Sequence, residues 1–314
     1  MSNRIEVRVT TITWETDAIR RLEMRALGGA LPPFTAGAHV DVHLPTGLSR
    51  SYSLLNAPEE RHRYVIGVAR EPDSRGGSRY LHESVLPGGR LVISAPRNLF
   101  ALDEAAAHSV LIAGGIGVTP MLSMAKRLDR LGKSWQLHYC CRTRSMAAFL
   151  DEIAAHGDRV DLRVDDEHAG FLDIAALIRS TADAHFYCCG PKPMLAAFNG
   201  AVAATGLPPA RAHVEYFQPV DDGPPPGGFQ IELARSNRIL TVPPGKSILE
   251  TVQAAGIAAT SSCEAGICGE CQVTVLGGIP DHRDLVLSDA ERAANTAMMI
   301  CCSGAKSEKL VLDL

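Results

Sequence analysis

Four cysteines bound the chemistry open to this chain. Cys263, Cys268 and Cys271 stand in the run Ser-Ser-Cys-Glu-Ala-Gly-Ile-Cys-Gly-Glu-Cys, and Cys301 follows at a distance. The C-x4-C-x2-C spacing with a remote fourth thiolate is the plant-type ligand pattern of a [2Fe–2S] cluster. Such a centre carries one electron at a time and cannot itself take hydride. Small residues separate the ligands, namely Ala265, Gly266 and Gly269. Glycines let backbone N–H groups turn toward sulfur, which stabilises negative charge and raises the reduction potential. The fourth ligand lies in Met-Met-Ile-Cys-Cys-Ser-Gly, an apolar run that predicts a buried strand. Side chains alternate on a strand, so only one of Cys301 and Cys302 would face the cluster. The bland alternative is a structural zinc site. Sites of that kind usually show two C-x2-C knuckles, and here there is one.

A one-electron relay needs a supply. The turn Ala113-Gly-Gly-Ile-Gly-Val-Thr-Pro-Met121 follows an apolar strand pattern and opens a helical one. Gly115 and Gly117 permit a tight turn and close approach of a pyrophosphate. Thr119 is expected as N-cap and Pro120 as the first helical residue. The free N–H groups of that helix start would attract an anion. The turn departs from G-x-G-x-x-G because Pro120 takes the third glycine's place. A plain strand–turn–helix joint is the rival reading. A second candidate, Cys188-Cys189-Gly190-Pro191, ends another strand, where ligands of open α/β sheets bind. Its rival is a buried cysteine followed by a helix-starting proline.

Between a hydride donor and a one-electron centre something must split the pair, and flavins do so. In Arg50-Ser51-Tyr52-Ser53-Leu54, alternation puts Arg50 and Tyr52 on one face and Ser53 opposite or at a bend. Arg50 could fork onto a phosphate, Tyr52 could pack on a ring system, and Ser53 could bond a ring nitrogen. Ser74-Arg-Gly-Gly-Ser-Arg79 precedes a helical pattern over 80–85 and reads as an anion nest. An exposed arginine and an ordinary glycine-rich turn are the alternatives.

The elements that must position these groups fall into three segments. The first hundred residues alternate with a period of two, as in Ile5/Val7/Val9, Val40/Val42/Leu44 and Tyr64/Ile66/Val68, with Pro- and Gly-containing turns between. That predicts an antiparallel barrel or sandwich over 1–101. From residue 102 to 220, apolar strands alternate with helical patterns, which predicts a doubly wound parallel sheet. Residues 221–228 read as a Pro/Gly-rich linker. Residues 229–314 form a third unit carrying ten acidic against seven basic residues, most of the chain's net charge of −4. The 314 residues, 46% apolar and 21% charged, are ordinary for a globular protein of two or three domains. A net charge of −4 gives no footprint for nucleic acid. No apolar run is long enough to span a membrane, and the N-terminus lacks a signal-like apolar region. A reducing, cytoplasmic setting is therefore expected for the nine cysteines. Cys140, Cys141, Cys188, Cys189 and Cys302 end apolar runs, where most would act as small buried hydrophobes.

Taken in order, these motifs resemble the phthalate dioxygenase reductase family, which includes the reductase components of vanillate-type O-demethylases. The resemblance covers almost the whole chain. It rests on Arg-Ser-Tyr-Ser-Leu at 50–54, Gly-Gly-Ser at 76–78, Gly-Gly-Ile-Gly-Val-Thr-Pro-Met at 114–121 and Tyr-Cys-Cys-Gly-Pro at 187–191. Val-Glu-Tyr-Phe at 214–217, the cysteines, Asp-His-Arg-Asp at 281–284 and the C-terminal Leu-Val-Leu-Asp-Leu also match. One departure is Gly304, where relatives often carry Arg near that position. The resemblance implies a flavin-binding barrel, a nicotinamide-binding α/β domain and a C-terminal β-grasp ferredoxin domain. It implies FMN, with NADH as the usual donor. Arg50, Gly77 and Ser78 would meet the phosphate, Tyr52 and Ser53 the ring, with Val68 and Arg70 as further contacts. Gly115, Gly117, Thr119, Cys189 and Pro191 would line the nicotinamide path, and Phe217 would lie over the flavin. Ser53, Thr119, Cys189 and Phe217 would border the hydride transfer. Cys301, not Cys302, takes the ligand place. The implied role is a monomeric, electron-passing reductase serving a Rieske-type oxygenase. Arg142 and Arg144 leave NADPH open as an alternative donor, because arginines after the second strand of such a domain could meet a 2′-phosphate. Arg142 could equally meet a pyrophosphate.

Overall fold

The computed structural model describes residues 4–72, 76–168, 170–181, 183–217 and 227–314. Most of the expected linker, 221–226, and Ser74 and Arg75 of the expected anion nest lie outside the described residues. The chain divides into two compact units, Met1–Phe217 and Gln218–Leu314.

The first unit begins with strands β1 (Ile5–Trp14), β2 (Ile19–Ala26), β3 (His39–His43), β4 (Ser49–Ser53) and β5 (Tyr64–Ala69), the short helix α1 (Gly77–Glu83), and β6 (Arg90–Ile93). Their period-two pattern is realised as an antiparallel sheet ordered β4-β3-β6-β1-β2-β5. A bridge between Leu54 and Ile66 joins its two edges, so the sheet closes into a barrel. Closure buries Val7, Val9, Leu22, Val40, Val42 and Ile66 completely.

The α/β part follows: β7 (His108–Gly114), α2 (Val118–Leu131), β8 (Ser134–Cys141), α3 (Leu150–Ala154), β9 (Val160–Val164), α4 (Ile174–Ser180), β10 (His185–Cys189), α5 (Lys192–Thr205) and β11 (Ala212–Glu215). The strands are parallel and ordered β11-β10-β7-β8-β9. One apolar cluster covers each face of this sheet. Strand order reverses between β7 and β10, and ligands of open α/β sheets bind beyond the carboxyl ends of the strands at such a point. Barrel and sheet are locked together. Lys126 of α2 donates to the Leu55 carbonyl at 2.8 Å, Ser123 to the Asn56 carbonyl at 3.0 Å, and the Phe149 amide to Glu15 at 2.9 Å.

The second unit contains β12 (Phe229–Leu233), β13 (Arg238–Val242), α6 (Ile248–Ala254), β14 (Gln272–Gly277), β15 (Pro280–Asp281), α7 (Asp289–Ala294), β16 (Ala297–Met299), β17 (Gly304–Ala305) and β18 (Lys309–Leu312). Its mixed sheet, β13-β12-β18-β14-β16, is packed by α6 through Ile248, Leu249 and Val252, a β-grasp arrangement. Ser247 and Ser288 start α6 and α7 with capping boxes, each closed by a glutamate three residues on.

Two local expectations need correction. Helix α2 begins at Val118 with Gly117 as its N-cap, so Thr119 does not cap it. The Thr119 hydroxyl instead donates back to the Ile116 carbonyl at 3.0 Å, because the chain already turns as a 3-10 helix over Gly115–Gly117. The strand expected through Met298–Cys302 stops at Met299. The Met299 carbonyl accepts from the amides of Cys302 and Ser303, which curls the backbone into a turn. Strand alternation therefore does not choose between Cys301 and Cys302.

Candidate functional site

The two glycine-bearing turns of the α/β sheet, distant in sequence, meet in space. A Cβ on Gly117 would lie 2.2 Å from the Cys189 carbonyl oxygen, and one on Gly114 would lie 2.5 Å from Pro191 Cδ. The turns that end β7 and β10 thus press backbone against backbone at the sheet's switch point, which only glycine permits. Gly115, at φ +54°, has open space around it. Thr119 is buried and packs on the barrel, its Cγ2 2.8 Å from where a Cβ on Gly67 of β5 would stand.

Ser53, at the end of β4, stands near Glu215, at the end of β11, and acts on its carboxyl. Barrel and parallel sheet therefore meet at the carboxyl ends of the strands. Burial pushes the Glu215 carboxyl up to about 8, with Ser53 acting the other way. Glu215 Oε2 is buried and has no hydrogen-bond partner. An orphaned buried carboxyl oxygen facing a switch-point cleft suits a polar ligand group. Cys189 is fully buried, and burial followed by the nearby Glu215 charge holds its thiol well above the usual range. It is a neutral thiol that shapes the cleft, not a nucleophile. Phe217, the last described residue of this unit, is 38% exposed. Among the groups brought together here, the sequence reading gave Glu215 no role. Its only mark was its place in Val-Glu-Tyr-Phe, and nothing local showed that it would be buried against a serine from another domain.

On the barrel, Arg50 and Tyr52 oppose Val42 and Val40 and share a face, while Ser53 opposes His39 on the other. The Arg50 stem packs against Gly77, where a Cβ would lie 2.7 Å from Arg50 Cγ. Burial raises the Tyr52 hydroxyl above its usual range. Ser78 is buried and accepts from the Glu71 amide at 3.2 Å. Val68 is buried in β5, its carbonyl 2.9 Å from His82 Nε2, and Arg70 pairs with Glu83 at the surface at 2.6 Å. Of the residues expected around a flavin, Arg50 and Gly77 are in direct contact across β4 and α1.

Beyond β8, Arg142 is exposed. Arg144 is gripped in a fork by Glu167, at 2.8 and 2.5 Å, and Asp165 and Asp166 stand beside that carboxylate in sequence. Of the two arginines that could meet a 2′-phosphate, Arg144 is already paired with a carboxylate.

In the second unit Cys263, Cys268, Cys271 and Cys301 are each at most 8% exposed. Cys263 stands beside Cys268, and Cys301 stands beside both Cys271 and Cys302. Among the described residues no three His, Cys, Asp or Glu side chains gather as donors around a single point. Two thiolates per metal is the donor set each iron of a [2Fe–2S] core takes from protein. A backbone amide points at one sulfur: Ala265 N–H donates to Cys263 Sγ at 3.3 Å. Hydrogen bonds from Cys271 and then Cys302 draw the Cys301 thiol down, while the same contacts push those two partners up. Four buried sulfurs, soft donors on one short loop and one distant turn, fit an iron–sulfur centre.

The fold and these two sites define an iron–sulfur oxidoreductase built from a closed barrel, a doubly wound sheet and a ferredoxin unit. Residues 231–306 match the 2Fe-2S iron-sulfur cluster binding domain family. The chain is 54% identical over 312 residues to the phenoxybenzoate dioxygenase subunit beta of Ectopseudomonas oleovorans, covering 99% of this chain and 97% of that one. It is 45% identical over 306 residues to the vanillate O-demethylase oxidoreductase of Pseudomonas putida, with 96% of each covered. The solved structure of phthalate dioxygenase reductase, described as modular for electron transfer from pyridine nucleotides to [2Fe–2S], superposes with a TM-score of 0.77 at 37% identity, covering 99% of this chain and 98% of that one. The chain belongs to the phthalate dioxygenase reductase family.

Proposed function

We propose that this reductase draws electrons from NADH through FMN and a [2Fe–2S] centre to a separate Rieske-type oxygenase that acts on an aromatic acid. The observation that carries the reading is the meeting of the two glycine turns at the switch point of the parallel sheet, Gly117 against the Cys189 carbonyl, in a chain that also carries the cluster-binding unit. FMN, when bound, supplies the exchange between hydride chemistry and single-electron transfer, and the iron–sulfur centre supplies one-electron carriage.

The chain's own residues do the positioning. Arg50, with Gly77 and Ser78, holds the FMN phosphate, and Tyr52 packs on the ring. Ser53 offers a hydroxyl to the ring edge. Gly115 and Gly117 let a pyrophosphate approach the start of α2, with Arg142 beside it. Thr119, Cys189 and Pro191 shape the slot for the nicotinamide, and Phe217 covers the ring until the nicotinamide takes its place. Glu215, protonated at neutral pH because of its burial, can hydrogen-bond to a carboxamide without placing a charge there. The Arg144–Glu167 fork favours NADH over NADPH. Cys263 with Cys268, and Cys271 with Cys301, hold one iron each, leaving Cys302 free of the metal. The domains run 1–101, 102–220 and 229–314, and the protein works as a cytoplasmic monomer. No helix among the described residues is long and apolar enough to cross a membrane.

An anaerobic titration tests this. Purified protein should show flavin and iron–sulfur absorption that NADH bleaches, and the extracted flavin should be FMN. Colourless protein, or zinc at the thiols, overturns the reading. Cys268→Ser should abolish cytochrome c reduction while ferricyanide reduction persists. If both activities survive, the cluster is not in the path.

A further inference from the structure

Gly266 is the pivot of the cysteine loop. The N–H of the preceding residue, Ala265, donates to the Cys263 sulfur at 3.3 Å. The carbonyl of Gly266 itself accepts from the Leu285 amide at 2.8 Å. Its φ is +70°, and a Cβ there would stand 3.1 Å from Asp284 Cα and 2.6 Å from Cys302 Sγ. The loop and the Asp284–Leu285 backbone therefore touch without an intervening side chain.

Asp284 shapes the segment that meets Gly266. It is 2% exposed. Its Oδ2 accepts from the amides of Val286 at 3.0 Å and Leu287 at 2.8 Å, a side-chain-closed turn. The Arg292 guanidinium of α7 donates to its carbonyl. Its other oxygen is buried without a hydrogen-bond partner, 3.9 Å from the buried Nδ1 of His282. Keeping a carboxylate out of water is costly, and a turn that needs only to be closed could be closed more cheaply at the surface. The location, against the loop that carries Cys263, Cys268 and Cys271, supplies the reason.

We propose that Asp284 is a positioning residue for the iron–sulfur centre: by fixing the Leu285 amide it holds the Gly266 peptide, and with it the Cys263–Cys268 loop and its amide–sulfur hydrogen bond, in place and so sets the centre's reduction potential. This rests on the assignment of a [2Fe–2S] centre to the four cysteines. Amide–sulfur hydrogen bonds stabilise the added negative charge of the reduced state, so losing one lowers the potential.

The test is an anaerobic redox titration of the full-length, cofactor-loaded protein, read by the EPR signal of the reduced centre. Asp284→Ala should shift the midpoint negative, raising the oxidised-to-reduced ratio at the parent midpoint about tenfold, which is about 59 mV for one electron. Asp284→Asn keeps an oxygen for the same two amides and removes a negative charge, so its midpoint should sit at or above the parent value. Should Asp284→Ala retain no cluster, Asp284→Ser, with a shorter oxygen acceptor, should show a smaller negative shift. An unchanged midpoint in whichever of these two variants holds the cluster overturns the proposal. So does an asparagine variant that falls as far as alanine. Absence of the EPR signal from the parent protein as well would instead remove the cluster assignment.

Discussion

Glu215 is where burial changes what a residue can do. An unfolded glutamate titrates near about 4.3, whereas burial lifts this carboxyl to about 8. Between those values the folded chain keeps a proton that the unfolded chain has lost. A folded-state pKa above the unfolded one gives stability that is complete below the unfolded value and is lost as pH rises through the folded one. Parent protein lacking nucleotide should therefore lose thermal stability steadily from about pH 5 to about pH 8. Glu215→Gln, which stays neutral throughout, should show a flatter profile over that window. Parallel profiles for the two proteins would show that the carboxyl ionises as freely folded as unfolded. The cysteines make the complementary point. Cys189 and Cys263 are both buried, yet one stands alone behind a cleft and the other beside Cys268 under an amide donor. Neighbours, not burial, separate a packing cysteine from a candidate ligand.

At the scale of elements, the turns after β7 and β10 decide the nucleotide cleft. Each strand places a short glycine-bearing turn at its carboxyl end, and the parallel register of β7 with β10 brings the two together. The contact between Gly117 and the Cys189 carbonyl leaves no room for a methyl group. Gly117→Ala must push the start of α2 away from β10, an overpacking cost of about 1–3 kcal/mol. Calorimetry should show a lowered melting temperature for the flavin- and nucleotide-binding unit, and the KM for NADH should rise. A variant with parent stability and KM would mean that the two turns do not need this contact. The start of α2 gains its anion-facing amides from the preceding 3-10 turn, and no side chain caps it.

For the whole molecule, the division at Phe217 separates hydride chemistry from one-electron carriage. The second unit, from 229 onward, carries ten acidic and seven basic residues. A negative ferredoxin unit would steer toward a basic patch on its acceptor, and such steering acts on the association rate and weakens with salt. Raising ionic strength from low to physiological should reduce kcat/KM for oxygenase reduction several-fold while leaving ferricyanide reduction by NADH nearly constant. Salt-independent oxygenase reduction would exclude steering.

Periodicity and motif spacing sufficed for the barrel, the parallel sheet and the two glycine turns, because each depends on residues close together in the chain. Alternation named the barrel strands, and short apolar runs between helical patterns named the parallel sheet. Local rules failed where hydrogen bonds from elsewhere took over. Thr119 was expected to cap a helix that in fact starts two residues earlier, and the run into Cys301 curls away from the strand geometry that was to separate it from Cys302. The approach of Ser53 to Glu215, the gathering of Cys301 with Cys271, the capture of Arg144 by Glu167 and the seating of Asp284 against Gly266 join residues that are far apart in sequence or belong to different elements. Such contacts have no signature in spacing, since their energies depend on which surfaces the finished fold removes from water.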